Sequence, residues 1–349
     1  MQSGSAIASA LGAALALGGG FASAEDTPAK DTPGLIIRSI DAPHHGRPMQ
    51  VTLWYPAAPG GTPIVYGDNP VFYGVAARED APLAEGRYPL VLMSHGLGGA
   101  ARALSWLGAG LAEAGAVVLA VDHPNTTFRD FDLIAGLDHW TRTQDFAAAQ
   151  AALSTKLAPV LTAERYAIGF SYGGWTALSL GGLRGARTGM ADYCAEVGAA
   201  SQFCTQLQEV GIDLGAIDAE RWEASYRDEA VSAVLAIDPG LTQGIDAALA
   251  AETIPEVAIV TLGTPEQRLG GTDVSAAGSG LLAHLPEAEH RVIAPAMHFS
   301  AMPLCKPRAV AILIEENDDP VCSDPQGTER AAIHAEIIAL AIAHFGLGE

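Results

Sequence analysis

From Pro89 onward the chain repeats one pattern, and that pattern admits few folds. Short β-branched or Leu-rich runs recur at residues 90–93, 117–121, 166–170, 231–237, 257–262 and 291–294, with Ala-rich helical segments at 101–114, 141–157 and 171–183 between several of them. A strand that is apolar at nearly every position has no face left for water, so both of its faces must be covered. Such strands alternating with helices specify an α/β fold, a mostly parallel central sheet with helices on both faces. Upstream, residues 35–40 and 49–54 read as two more strands, joined by Pro43-His44-His45-Gly46-Arg47-Pro48. Residues 57–88 are rich in Gly, Pro and Asp and read as a long surface loop. Residues 185–230 break the rhythm, and fold either as a helical cap over a site or as a surface excursion stapled by a disulfide.

The ends and the charge narrow the setting. No charged residue precedes Glu25; residues 6–21 are an apolar Ala/Leu/Gly run, followed by Ala22-Ser23-Ala24. Residues 1–24 therefore read as a secretory signal peptide, although no Lys or Arg precedes the run. The alternative, an N-terminal membrane anchor, is disfavoured by the shortness and glycine content of the run. Residues 25–34 read as a linker, and 25–349 as one domain, periplasmic or secreted and without stable membrane insertion. The four cysteines group as Cys194 with Cys204 and Cys305 with Cys322. With export, this suggests two local disulfides, although four cysteines allow three connectivities. Forty acidic against 19 basic residues give a net charge of −21. Such a field repels phosphate backbones, so nucleic acid is not an expected partner. No His/Cys cluster has zinc spacing, and no metal or organic cofactor is expected.

The stretch that carries chemistry is Gly169-Phe170-Ser171-Tyr172-Gly173. A G-x-S-x-G alone is a weak signal, but here an apolar strand ends at Phe170 and a helical pattern begins directly after Ser171. A sharp strand-to-helix turn forces the serine into a strained backbone conformation, and glycines two residues away on each side remove the side chains that would clash. The turn presents the hydroxyl at the carboxyl edge of the sheet, with a helix N-terminus aimed at it. Ser171 is the expected nucleophile.

A serine hydroxyl needs a base, an orienting acid and an oxyanion site. The run ending at Met93 leads into Ser94-His95-Gly96-Leu97-Gly98-Gly99, and the Leu97 and Tyr172 amides are the expected oxyanion donors. His95 is expected to order that loop. Among the later histidines, His284 and His290 precede the last strand, and His334 and His344 lie in a C-terminal helical pattern. His298 follows the last strand at the catalytic edge and is the expected base. For the acid, Asp238 ends the strand at 231–237, whereas Glu266 follows the next one. Asp238 is preferred and Glu266 is kept open. Asp122-His123 either lines the pocket or orders a loop. Glu315-Glu316-Asn317-Asp318-Asp319 with Asp324 lacks an EF-hand spacing and reads as a solvated acidic loop.

These motifs resemble the α/β-hydrolase superfamily, and within it the plasma-type platelet-activating-factor acetylhydrolases and the bacterial group labelled predicted dienelactone hydrolases. The resembling stretches are 51–56, 88–99, 122–124, 169–174, 236–239 and 297–305. In the acetylhydrolases the acid lies after the strand that follows the nucleophile helix, which favours Asp238. True dienelactone hydrolases use a cysteine nucleophile, and this chain has Ser171. The resemblance implies an α/β-hydrolase fold and a serine carboxylic-ester hydrolase acting on a small or lipid-like ester. Rivals are a phospholipase or acetylhydrolase, a polyester hydrolase, an amidase, or a non-catalytic binding protein on the same fold.

Overall fold

The computed structural model describes residues 32–348, so the leader and most of the linker read from the sequence lie outside the described residues. The chain opens with β1 (Gly34–Ala42) and β2 (Arg47–Tyr55), an antiparallel pair joined by a turn at Pro43–His45. Then come β3 (Thr62–Tyr66), β4 (Val75–Glu79), β5 (Tyr88–Ser94), α1 (Ser105–Glu113) and β6 (Val117–Val121). A small hairpin, β7 (Thr126–Thr127) with β8 (Asp130–Phe131), leads to α2 (Leu133–Gly136), α3 (Trp140–Leu157), β9 (Leu161–Phe170) and α4 (Tyr172–Leu180). The excursion follows as α5 (Arg187–Val197), α6 (Gln202–Glu209) and α7 (Ala219–Trp222). The chain closes with β10 (Val231–Ile237), α8 (Ala247–Ala250), β11 (Val257–Leu262), β12 (Glu289–Ile293), α9 (Ala309–Glu316) and α10 (Arg330–Phe345).

The main sheet has ten strands in the order β12-β11-β10-β9-β5-β6-β2-β1-β4-β3. From β12 to β6 every pairing is parallel, and β2 turns the sheet antiparallel. Alternate residues of each central strand feed opposite faces. Leu90 and Leu92 join Phe146 of α3 and Trp175 of α4 in one core. Val91 and Met93 join Leu107 of α1 and Ile337 of α10 in the other. Because β5, β9, β10 and β12 run parallel, their carboxyl ends open onto one edge, and the chain reverses its spreading direction there. Such an edge is where open α/β sheets bind ligands.

Residues 57–88 are not the surface loop their composition suggests. They contribute β3 and β4, which extend the sheet beyond β1. β3 forms the sheet's edge, where Pro63 is tolerated because an edge strand leaves amides unpaired, and β4 lies between β1 and β3. Ile64 and Tyr66 pack on the core while Val65 is 61% exposed. This is the alternation of a half-buried strand, hidden among glycines. The last strand also begins two residues earlier than the sequence suggests, so His290 is part of β12 and meets Thr261 Oγ1 at 2.9 Å.

Residues 185–230 form helices with a small core of their own, in which Met190, Cys194, Cys204, Leu207, Leu214 and Trp222 pack on Leu133, Leu137 and Trp140. Disulfides join Cys194 to Cys204 and Cys305 to Cys322. No helix among the described residues is long and apolar enough to cross a membrane.

Candidate active site

Ser171 sits between the last residue of β9 and the first of α4 with φ +58° and ψ −120°, a strained conformation for any residue with a side chain. The flanking glycines are required by contact. A Cβ on Gly169 would lie 2.1 Å from the Gly173 carbonyl oxygen, and one on Gly173 would lie 1.9 Å from the Ser94 carbonyl oxygen. The turn is therefore pressed against the end of β5, and only hydrogen fits at these two positions.

His298 follows β12 in a short turn, and its Nε2 lies 3.0 Å from Ser171 Oγ. Its Nδ1 lies 2.9 Å from Asp238 Oδ2. Asp238 is buried, directly after β10, and has φ +45°. Its other oxygen accepts the Leu262 amide at 2.7 Å, so β11 fixes the carboxylate plane. Glu266 is exposed and lies outside this chain of bonds; its carboxyl is held below the usual range by its own amide and the Thr264 side chain. The structure thus brings together Ser171, His298 and Asp238, drawn from the ends of three parallel strands.

A cavity of about 430 Å³ opens in front of Ser171 and His298. Leu97 and Tyr172 line it, and among the described residues neither amide has an intramolecular acceptor. Most other lining side chains are apolar, including Phe131, Leu133, Leu137, Leu241 and Phe299. The 185–230 segment supplies Met190, Tyr193, Val197 and Phe203. Among the described residues Asp319, from the acidic loop, is the one carboxylate in the lining, and it accepts a hydrogen bond from Gln202 at 3.0 Å.

Behind the loop at 95–99 lies a buried polar network. His95 bonds the Gly96 carbonyl through Nδ1 and accepts the His123 amide at Nε2, which orders the loop. Burial, then the neighbouring positive Arg142, hold its pKa well below the ordinary histidine value. Asp122 accepts the Ala101 amide at 2.6 Å and lines a second cavity with Arg102 and Arg129, not the one in front of Ser171. Arg142, buried on α3, donates to the His95 carbonyl and to Ser94, Thr126 (2.6 Å) and Thr176 (2.8 Å). It ties β5, β7 and α4 together. Read in sequence it is one more polar position in a helical pattern, because its partners are up to 48 residues away.

Solved structures share this architecture, among them the following two. A ferulic acid esterase from Streptomyces cinnamoneus superposes with a TM-score of 0.57 at 18% identity, covering 92% of this chain and 91% of its own. The chain has the α/β-hydrolase fold. A second solved structure, a dienelactone hydrolase-like promiscuous phosphotriesterase from metagenomic libraries, gives a TM-score of 0.50 at 15% identity, covering 89% of this chain and 99% of that one. A family model described as platelet-activating factor acetylhydrolase, isoform II, matches residues 73–129, which include β5 and the loop carrying Leu97. Among curated proteins, none matches the sequence. On this α/β-hydrolase sheet Ser171, Asp238 and His298 follow the strands β9, β10 and β12, all at the carboxyl edge.

Proposed function

We propose that this α/β-hydrolase is an exported serine carboxylic-ester hydrolase that works through an acyl-enzyme. The observation that carries the reading is the unbroken line Ser171 Oγ, His298 Nε2, His298 Nδ1, Asp238 Oδ2, with links of 3.0 and 2.9 Å. Ser171 Oγ attacks the ester carbonyl as His298 Nε2 takes its proton. The Asp238 carboxylate holds the imidazole in the tautomer with Nδ1 protonated and stabilises the imidazolium that forms. The carbonyl electron pair moves onto oxygen, where the Leu97 and Tyr172 amides and the N-terminus of α4 receive it. The imidazolium then protonates the leaving alkoxide, and the tetrahedral intermediate collapses to the acyl-enzyme. Water, deprotonated by His298, attacks the acyl carbon, and Ser171 recovers its proton.

The apolar cavity suits a neutral acyl or aryl group, and the 185–230 segment acts as a cap over it. The acetylhydrolase match at 73–129 favours a lipid-like ester as the second reading within the same chemistry. Two disulfides and the leader motif support a periplasmic or secreted location. A fluorophosphonate should add one label per chain at Ser171, and Ser171→Ala should lose both label and turnover. Labelling elsewhere, with turnover intact in Ser171→Ala, would refute the assignment.

A further inference from the structure

Asp145, on α3, is a carboxylate with no exposure at all, and its partners come from distant segments. Oδ2 meets His123 Nδ1 at 2.8 Å. Oδ1 meets His44 Nε2 at 2.7 Å and His45 Nε2 at 2.9 Å, both from the turn between β1 and β2. Among the described residues every ion-pair partner of Asp145 is therefore an imidazole. The buried cation on the same helix, Arg142, directs its donors to Ser94, His95, Thr126 and Thr176 instead. A buried charge is stable only when paired or coordinated to a cation. Here two imidazole nitrogens converge on a single oxygen of that charge.

We propose that His44, His45 and Asp145 form a binding site for a zinc ion, separate from the Ser171 site. Two imidazoles and one carboxylate are a borderline N/O donor set suited to zinc, whereas calcium and magnesium take oxygen shells. The three ligand atoms lie within 4.8 Å of one another. Zinc bonds of about 2.0–2.1 Å at tetrahedral angles separate ligand atoms by about 3.3 Å, so Oδ1 and each Nε2 need to part by roughly half an ångström. His44, with a side chain 20% exposed, provides both that freedom and the entry side, where water fills the fourth position. Each imidazole offers the Nε2 lone pair and keeps its proton on Nδ1. His123 continues to donate to Oδ2, which fixes the carboxylate plane and leaves Oδ1 to the ion, the supporting bond that metal-binding carboxylates require. The acidic surface raises the local cation concentration.

The sequence does not show this site because the histidines are adjacent and the carboxylate lies 100 residues further on. Bound zinc would pin the first β-turn to α3. Through His123, which bonds Ser94 Oγ at 2.9 Å, it would also brace the end of β5 ahead of the loop carrying Leu97.

The test uses tag-free full-length protein stripped with EDTA and dialysed, then titrated calorimetrically with zinc chloride. One equivalent should bind, Tm should rise on binding, and cobalt(II) in place of zinc should give the intense visible bands of a tetrahedral site. His44→Ala and His45→Ala should each weaken zinc binding by about tenfold or more, while His298→Ala should bind as the parent does. His44 also bonds the buried Asp145, so His44→Gln, which keeps a hydrogen-bond donor, should hold the Tm in EDTA closer to the parent's than His44→Ala does, while zinc affinity falls in both. Absence of uptake at micromolar zinc would overturn the proposal. So would affinity undiminished in His44→Ala, or one equivalent retained by the His44→Ala/His45→Ala double variant.

Discussion

Ser300 Oγ donates to Asp324 Oδ1 at 2.7 Å and accepts the Met297 amide at 3.0 Å, so the turn bearing His298 is tied to the loop after the second disulfide. Arg330, on α10, holds the same carboxylate through Nε at 3.1 Å and Nη2 at 3.0 Å. The acidic loop that reads from sequence as solvated thus has one member, Asp324, turned inward to brace the turn. On the proposed mechanism, Asp324 and Ser300 would act by positioning His298. Asp324→Asn and Ser300→Ala should lower kcat by about tenfold with KM nearly unchanged, because a small misplacement of the base costs rate without altering the substrate cavity. A loss confined to KM would show that the bond serves the cavity instead.

The orienting acid gives a sharper contrast. Asp238→Asn should reduce kcat by about 10³–10⁴-fold, since the amide favours the wrong imidazole tautomer. Glu266→Gln should leave kcat within about twofold, as expected for an exposed carboxylate away from His298. Steady-state kinetics on one nitrophenyl ester would decide, and the reverse ranking would move the acid to the loop after β11.

The bridge from Cys305 to Cys322 closes a 17-residue separation beside this brace. Removing it as Cys305→Ser/Cys322→Ser should lower stability by about 3 kcal/mol and reduce kcat as well, because Asp324 lies two residues after Cys322. Removing Cys194–Cys204 should chiefly loosen α5 against α6 and move KM. Denaturant melts with matched kinetics would test the contrast, and equal effects of the two pairs on kcat would contradict it.

Among the described residues the cavity in front of Ser171 carries Asp319 and no Lys or Arg in its lining. Neutral esters should therefore be preferred over matched esters bearing a free carboxylate, with the gap narrowing as salt screens the field. Arg102, which follows the 95–99 loop, stacks on Phe128 at 4.3 Å beside the second cavity and does not line this one. Asp319→Asn should raise kcat/KM for the anionic ester and leave the neutral one unchanged. An anionic ester favoured at low salt would refute the reading.

What the sequence made legible follows from how local each signal is. The Ser171 turn was readable because a strand, G-x-S-x-G and a helical pattern follow one another directly, although only the contact that demands glycine at 169 is local; the one at 173 is with Ser94 on β5. His298 was readable by its place after the last strand. Asp238 and Glu266 could not be separated by spacing, since each follows a parallel strand; the bonds of Asp238 to Leu262 and His298 separate them. Arg142, Asp145 and Asp324 carried no local signal, because the first two meet partners brought together by the sheet and the third reaches 24 residues back to Ser300. β3 was missed because an edge strand needs neither length nor continuous apolarity, and β4 because it is short, carries Arg78 and Glu79, and pairs with β1 over two positions.

The buried histidines set the response to acid. His123, His139 and His334 are each lowered to about 4, first of all by burial, and His95 lies well below the ordinary 6.5. His139 illustrates the cause: its ring is enclosed by Trp140, Trp175 and Trp222, and among the described residues its side chain has one bond, to the Trp222 carbonyl at 3.0 Å. In the unfolded chain these groups take up protons near pH 6.5, while the folded protein excludes them until about pH 4. The unfolded state binds more protons across that window, so stability is full above about pH 6.5 and falls as the pH drops toward 4. Each group contributes about 1.4 kcal/mol per pH unit while the difference lasts. Urea unfolding between pH 7.5 and 4.5 should show this loss, and His139→Gln should flatten the slope by about one proton. Stability that stays level or rises on acidification would mean that these imidazoles are charged in the folded state.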